Sequence, residues 1–190
     1  FFDPDDEHHL SIIGKRFIAG QLHHAPEITL VTNQGVNSYK RLVPGFEAPA
    51  FISWAHISRS DLVRVPAHKP GYESSMRVEY RAPDPACNPY LAFSVMLAAG
   101  FKGIENEYPV PPAMEGNVFA MTSEERQAKG IRSLPGSLGE AIALAEGSEL
   151  LREALGEHIV HSVIQNKTME WDEYRATVTD YDISRYLPIL

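Results

Sequence analysis

Residues 82–101 constrain the fold more than any other stretch: Ala-Pro-Asp-Pro-Ala-Cys-Asn-Pro runs directly into Tyr-Leu-Ala-Phe-Ser-Val-Met-Leu-Ala-Ala-Gly-Phe. The first half resists regular structure. Its last two residues make a helix start, because the Asn88 side chain can accept from free N–H groups and Pro89 lacks a donor that the first helical position does not use. The second half is apolar nearly all round, so it reads as a helix buried on every side. It is too short to cross a bilayer. A chain of 190 residues with 44% hydrophobic and 22% charged residues can build one good core around such a helix, or part of a larger one.

Residues 10–24 read as a second helix, with Leu10, Ile13, Phe17 and Gln21 marking one side and Ile12, Ile18 and Leu22 beside it. Pro26 ends that helix or opens the next turn. Residues 50–54, 62–65 and 76–80 are short, rich in strand formers and bounded by turn residues. Residues 68–75, with Pro70-Gly71, read as a connecting turn, and 103–116, with three prolines, as a linker. Beyond it, Thr122 and Ser137 each stand three positions before a glutamate, the capping-box spacing. Helices are expected over 123–129, 137–146 and 149–177, the last long enough to contain a break. The expected class is α+β: antiparallel strands with packed helices, then a helical C-terminal region. Residues 1–108 and 109–190 are the two parts.

Chemistry concentrates between positions 41 and 81. Arg41 enters a loop over 37–49 whose Pro44-Gly45 pair has the residue order of a tight turn. Glu47 follows, then Arg59, Arg64, Arg77, Glu79 and Arg81. In a strand, alternate residues face one way, so Arg77, Glu79 and Arg81 would share a face, with the two arginines roughly 13 Å apart. That spacing suits a substrate with several anionic groups and a cation at Glu79; it also suits ion pairs on a solvated face. Arg59 and Arg64 are five apart, so a regular strand would oppose them. A bulge or turn near Ser60-Asp61 must re-aim one if both serve one site.

Other groupings read as structural. Residues 5–9, Asp-Asp-Glu-His-His, fit a solvated helix start ahead of a divalent-metal site. His23-His24 fit a helix end, since adjacent helical side chains diverge. His158 and His161 share a helix face but lack the further ligands that zinc requires. Residues 136–139 form a helix entry, not a nucleophile elbow. Net charge is -8, with 25 acidic against 17 basic residues, which argues against a general nucleic-acid binder. Cys87 is the only cysteine, so no intrachain disulfide can form. A reducing, cytoplasmic setting is expected, with no membrane partner. The acidic start is not a signal peptide. With no initiator Met, the sequence reads as a piece of a longer protein.

The motifs together resemble one family. Asn-Ser-Tyr-Lys-Arg-Leu-Val-Pro-Gly-Phe-Glu-Ala-Pro over 37–49, Ser-Arg-Ser over 58–60, Val-Arg-Val-Pro over 63–66, Arg-Val-Glu-Tyr-Arg over 77–81 and Pro-Asp-Pro-Ala-Cys-Asn-Pro-Tyr-Leu-Ala-Phe over 83–93 look like the C-terminal half of the catalytic domain of type I glutamine synthetase. The order and spacing match as well, and the likeness continues more loosely through 130–135 and 170–175.

The resemblance implies ATP-dependent ligation of ammonium to the γ-carboxylate of L-glutamate through γ-glutamyl phosphate, with two divalent metals, Mg2+ or Mn2+. By residue-wise carry-over, Arg41 would hold glutamate, and Glu47 would sit on a closing flap and take a proton. Arg59 would stabilise the phosphoryl group in transfer. Arg64 would contact nucleotide phosphates and Arg77 would lie beside the nucleotide. Glu79 would be a metal ligand, and Arg81 would bind the substrate carboxylate or the intermediate. These residue types suit a phosphoryl group approaching a carboxylate, where like charges must be offset. Phe119 stands where adenylylated relatives carry the modified tyrosine, so regulation by that route is not expected. Ser74 replaces a lysine that some relatives place near the nucleotide, and His56-Ile57-Ser58 departs from the usual run before Arg59. The family further implies a homo-oligomer, a dodecamer of two stacked rings. Its N-terminal β-grasp domain, the first half of the catalytic domain and the remaining metal ligands have no counterpart here, so the chain alone should be inactive. The alternatives are a ligase joining glutamate to a polyamine or other amine, and a non-catalytic assembly or regulatory relative.

Overall fold

The computed structural model describes residues 1–46, 48–67, 69, 71–114 and 116–189. Glu47, expected on the flap, lies outside the described residues, as do His68 and Pro70 of the expected turn.

Helix α1 spans Ile12–Thr32 and starts where the Ser11 hydroxyl accepts from Gly14 N at 3.2 Å. It does not stop at Pro26. Proline inside a helix removes one hydrogen bond and costs ~3 kcal/mol; here thirteen buried residues along α1 outweigh that. The carbonyl left without its usual partner, Leu22 O, receives a long bond from Arg132 Nη2 at 3.4 Å. A short helix, α2 (Val36–Arg41), follows. The Pro44-Gly45 turn forms as expected, with Gly45 at φ 96 and Phe46 N donating to Val43 O at 3.2 Å.

Helix α3, Pro89–Glu105, begins at the expected cap: Asn88 Oδ1 accepts from Tyr90 N at 3.0 Å and Leu91 N at 3.4 Å. It packs along α1 through a stripe of small residues. A Cβ on Gly20 would overlap Ala99 O, and one on Gly103 would overlap Arg16 O, so only glycine permits this approach. The expectation that α3 is buried on every side does not hold. Ala92, Val95, Ala99 and Gly103 are buried, but Tyr90, Phe93, Leu97 and Phe101 lie on the open face. One stripe meets α1, and no described element covers the opposite one.

Each strand has two residues. β1 (Phe51–Ile52) pairs antiparallel with β5 (Arg132–Ser133), while β2 (Trp54–Ala55), β3 (Val63–Arg64) and β4 (Glu79–Tyr80) form a second small sheet. β3 and β4 are antiparallel, but β2 and β3 run parallel, which the expectation of antiparallel strands did not include. The chain turns away after β2 and re-enters beside it in the same direction. Of the strand expected over 76–80 only Glu79–Tyr80 forms, after a 3-10 turn at Glu73–Ser75.

Helices α4 (Ser123–Ala128), α5 (Leu138–Glu146), α6 (Glu149–Leu155), α7 (Glu157–Ala176) and α8 (Asp180–Tyr186) complete the order. The break expected within 149–177 falls at Gly156, φ 81. The Thr122–Glu125 capping box is complete. At Ser137 only half forms, because the Glu140 carboxylate turns to Gly136 N at 2.8 Å. The core unites both parts of the chain, from Leu10 and Ile28 through Val63 and Val95 to Leu138, Leu151 and Val160. The class is α+β with a helical C-terminal region. Among the described residues no helix is long and apolar enough to cross a membrane.

Candidate active site

The β3–β4 register sets Arg64 opposite Glu79, where cross-strand side chains meet. Arg64 Nη2 donates to Glu79 Oε2 at 2.7 Å, and Arg81 Nε reaches Glu79 Oε1 at 3.2 Å. Arg81 is fixed further: its Nη1 donates to Arg59 O and, at 3.3 Å, to Asp61 O. Bends over 59–62, with Ser60 N on Ser58 Oγ at 3.3 Å, bring Arg59 and Arg64 to one cavity despite their odd spacing. That cavity holds about 610 Å3 and is lined by Arg59, Arg64, Arg81 and Glu79, with Ser58, Ser60, Phe46, Asn117 and Phe119 around them.

Three guanidiniums against one carboxylate give its wall a surplus of positive charge, which suits anionic groups. Arg64 lines the cavity, and its Nε is buried with no hydrogen-bond partner among the described residues. Behind the wall, burial pushes the Tyr80 phenol well above its ordinary value, so it stays neutral.

Two expected residues lie elsewhere. Arg41 Nη1 donates to Ala82 O at 2.8 Å and Nη2 to Arg81 O at 3.5 Å; it braces the backbone that carries Arg81 and does not line the cavity. Arg77 is exposed and donates to Ser75 O at 3.3 Å. It is not among the residues lining the cavity with Glu79 and Arg81.

Other contributors were not evident beforehand. The buried Ser60 hydroxyl meets Ser58 Oγ at 2.9 Å, Gly116 O at 3.4 Å, Asp61 Oδ2 at 3.4 Å and accepts from Val118 N at 3.2 Å. It thereby ties a segment nearly sixty positions away to the cavity wall. The repeated serines flanking Arg59 were a signal in the motif; the approach of Asn117 and Phe119 had none.

Divalent metal does not fit these residues alone. Both Glu79 oxygens already face guanidiniums, and the described residues contain no group of three or more His, Cys, Asp or Glu side chains able to hold an ion.

Residues 1–186 match the family described as glutamine synthetase, catalytic domain. The chain is 54% identical over 189 residues to a glutamine synthetase of Mycolicibacterium smegmatis, covering 100% of this chain and 42% of that protein. It is 50% identical over 190 residues to one from Methanosarcina mazei, again covering 100% and 42%. The chain thus spans less than half the length of these relatives. Among solved structures, one described as "GmaS/ADP complex-Conformation 1" superposes with a TM-score of 0.84 at 31% identity, covering 98% of this chain and 42% of that one. "Apo GmaS without ligand" gives 0.82 at 31%, covering 98% and 41%. The match runs through the arginine-bearing strands, the braced turn and the C-terminal helices alike, and the chain belongs to the glutamine synthetase catalytic-domain family.

Proposed function

We propose that this chain supplies part of the active site of an ATP-dependent glutamate–ammonia ligase that works through γ-glutamyl phosphate. The observation that carries this reading is the convergence of Arg59, Arg64 and Arg81 on one cavity. Transfer of a phosphoryl group to a carboxylate brings anions together, and fixed guanidiniums offset their repulsion without reorganising. Arg64 is assigned to nucleotide phosphates, Arg59 to the phosphoryl group in transfer, and Arg81 to the substrate carboxylate or the acyl phosphate. The ADP complex described for a relative of similar fold supports a nucleotide here.

The resemblance gives Arg41 a contact with glutamate. Its bonds to Ala82 O and Arg81 O support a second role, holding Arg81 in place. Arg77 is assigned to the nucleotide at the rim, and Glu47 to proton removal during attack by ammonia. Mg2+ or Mn2+ is assigned to the reaction as the family implies, with Glu79 as one ligand and the other donors from outside the described residues. Exposed Tyr181, Leu187 and Ile189 support assembly into a homo-oligomer.

The test is ATP-dependent glutamine formation from glutamate and ammonium. We expect none from the 190-residue chain alone. A protein that also carries the rest of the relatives' length should be active, and Arg59→Ala in it should lose about 100-fold or more in kcat. Glu47→Ala should lower kcat more than it alters KM for glutamate. Product formed only with polyamines would replace ammonium as the acceptor. Full activity in Arg59→Ala would sink the assignment.

A further inference from the structure

A second cavity, of about 530 Å3, shares no lining residue with the arginine cavity. It lies between α1, the β1–β2 corner, the proline segment after α3 and the approach to β5. Leu22, Ile52, Trp54, Tyr108, Pro111 and Ile131 give it an apolar, ring-rich lining. That volume is in the range of ordinary small-molecule sites.

The walls are held in place. Trp54 Nε1 donates to Pro111 O at 2.7 Å, and Met114 N donates to Trp54 O at 2.7 Å. The Tyr108 hydroxyl lies 3.2 Å from His24 Nε2, and its ring sits 4.7 Å from that of His23. Burial, with help from His24 and Arg132, holds the His23 ring below its ordinary pKa, so at neutral pH it is an uncharged wall.

Two features ask for a ligand of particular chemistry. Ser53 is only 4% exposed and lines the cavity, yet its hydroxyl has no hydrogen-bond partner among the described residues. A buried hydroxyl left so is costly, and a water that satisfied it would still face apolar walls. Lys129 and Arg132 are exposed at the lining, and no carboxylate stands among the lining residues. An apolar body, one polar atom inside and a negative charge outside are therefore matched.

We propose that this cavity binds a small aromatic carboxylate, its ring between Trp54 and the proline segment, its carboxylate at Arg132 and Lys129, and a polar ring substituent at Ser53 Oγ. The site is separate from the proposed ligase chemistry, and its test does not depend on that reading.

The probe is 6-hydroxy-2-naphthoate, titrated calorimetrically into the 190-residue chain. Saturable one-to-one binding is expected. Arg132→Ala, at an exposed position, should weaken it about tenfold, and 6-hydroxy-2-naphthamide should bind the parent chain with a similar loss. Ile131→Trp, which fills the cavity, should abolish binding while leaving the thermal melt unchanged. Ser53→Ala should erase the advantage of the hydroxylated probe over plain 2-naphthoate. Arg59→Ala, in the other cavity, should change nothing. No saturable binding overturns the proposal, as does binding that survives both Arg132→Ala and Ile131→Trp or that depends on Arg59.

Discussion

Between α1 and α3, Gly20 and Gly103 bring two helix backbones into direct contact, and the neighbouring Val95 and Ala99 are fully buried. At the arginine cavity no strand exceeds two residues, and side chains meet through guanidiniums, one carboxylate and backbone carbonyls. The first region is held by shape. Added atoms have nowhere to go, and dispersion contacts leave no slack. The second is held by directed polar contacts that can be exchanged for contacts to a ligand. A rigid helical seam therefore supports short strands whose charges remain available.

Gly20→Ala should have the largest effect on stability. Its methyl would overlap the Ala99 carbonyl, and relief requires the helices to separate, at about 3 kcal/mol or more. Gly103→Ala should behave alike. An unfolding free energy from urea titration within about 1 kcal/mol of the parent for either variant would break the contrast, because the seam would then yield as readily as the cavity.

What the sequence made legible divides along the same line. The Asn88-Pro89 helix start and the Pro44-Gly45 turn are local, and each formed as the residue types require. The passage of α1 through Pro26 was not legible, because the burial that sustains it involves partners far along the chain. The same holds for Asn117 and Phe119 at the cavity, brought there by the Ser60 hydroxyl. Arg59 and Arg64 could be paired in advance only on condition of a bend, which exists. Alternation at 77–81 gave Glu79 and Arg81 a common face. It did not reveal that Arg77, just after the 3-10 turn at Glu73–Ser75, would donate to Ser75 O. Arg41 stood out by charge, but a carbonyl contact leaves no mark in sequence.

Ser60→Ala should cost less than the glycine variants, about 1–2 kcal/mol, by leaving Val118 N without its acceptor inside the protein. It sharpens the contrast if phosphate binding to the cavity also weakens, since the same hydroxyl holds the 116–118 wall. A melt and a phosphate titration both equal to the parent would mean that the wall is positioned by packing alone.

The helical region also carries a partly buried polar cluster, where Glu27 joins His24 Nδ1 at 2.5 Å and the Ser148 hydroxyl that caps α6. Burial alone would raise the Glu27 carboxyl, but hydrogen bonds from His24 and Ser148 outweigh it and hold the group below 4.5. The folded state then binds fewer protons than the unfolded chain just below that pH, so stability rises with pH there. The contribution is complete above about 4.5 and fades as pH falls through the folded value. Glu27→Gln should flatten this acid limb in thermal melts between pH 3 and 6, a range chosen to bracket the ordinary carboxylate value of roughly 4.3. An unchanged slope would remove Glu27 from the clamp.

Glu79→Gln should affect stability least and ligand binding most clearly. Glu79 is 38% exposed at its side chain, so its pairs with Arg64 and Arg81 are screened and together worth about 1 kcal/mol or less. An amide of the same shape can still accept one hydrogen bond. Removing the charge leaves three guanidiniums with no carboxylate among them, and inorganic phosphate should bind several-fold tighter at low salt. The gain should shrink as ionic strength rises, because exposed charges are screened over about 10 Å at 0.1 M. If phosphate affinity does not move, the arginines are not the anion receptor that their convergence suggests. A large loss of stability would instead show that charge holds this region as tightly as shape holds the helices.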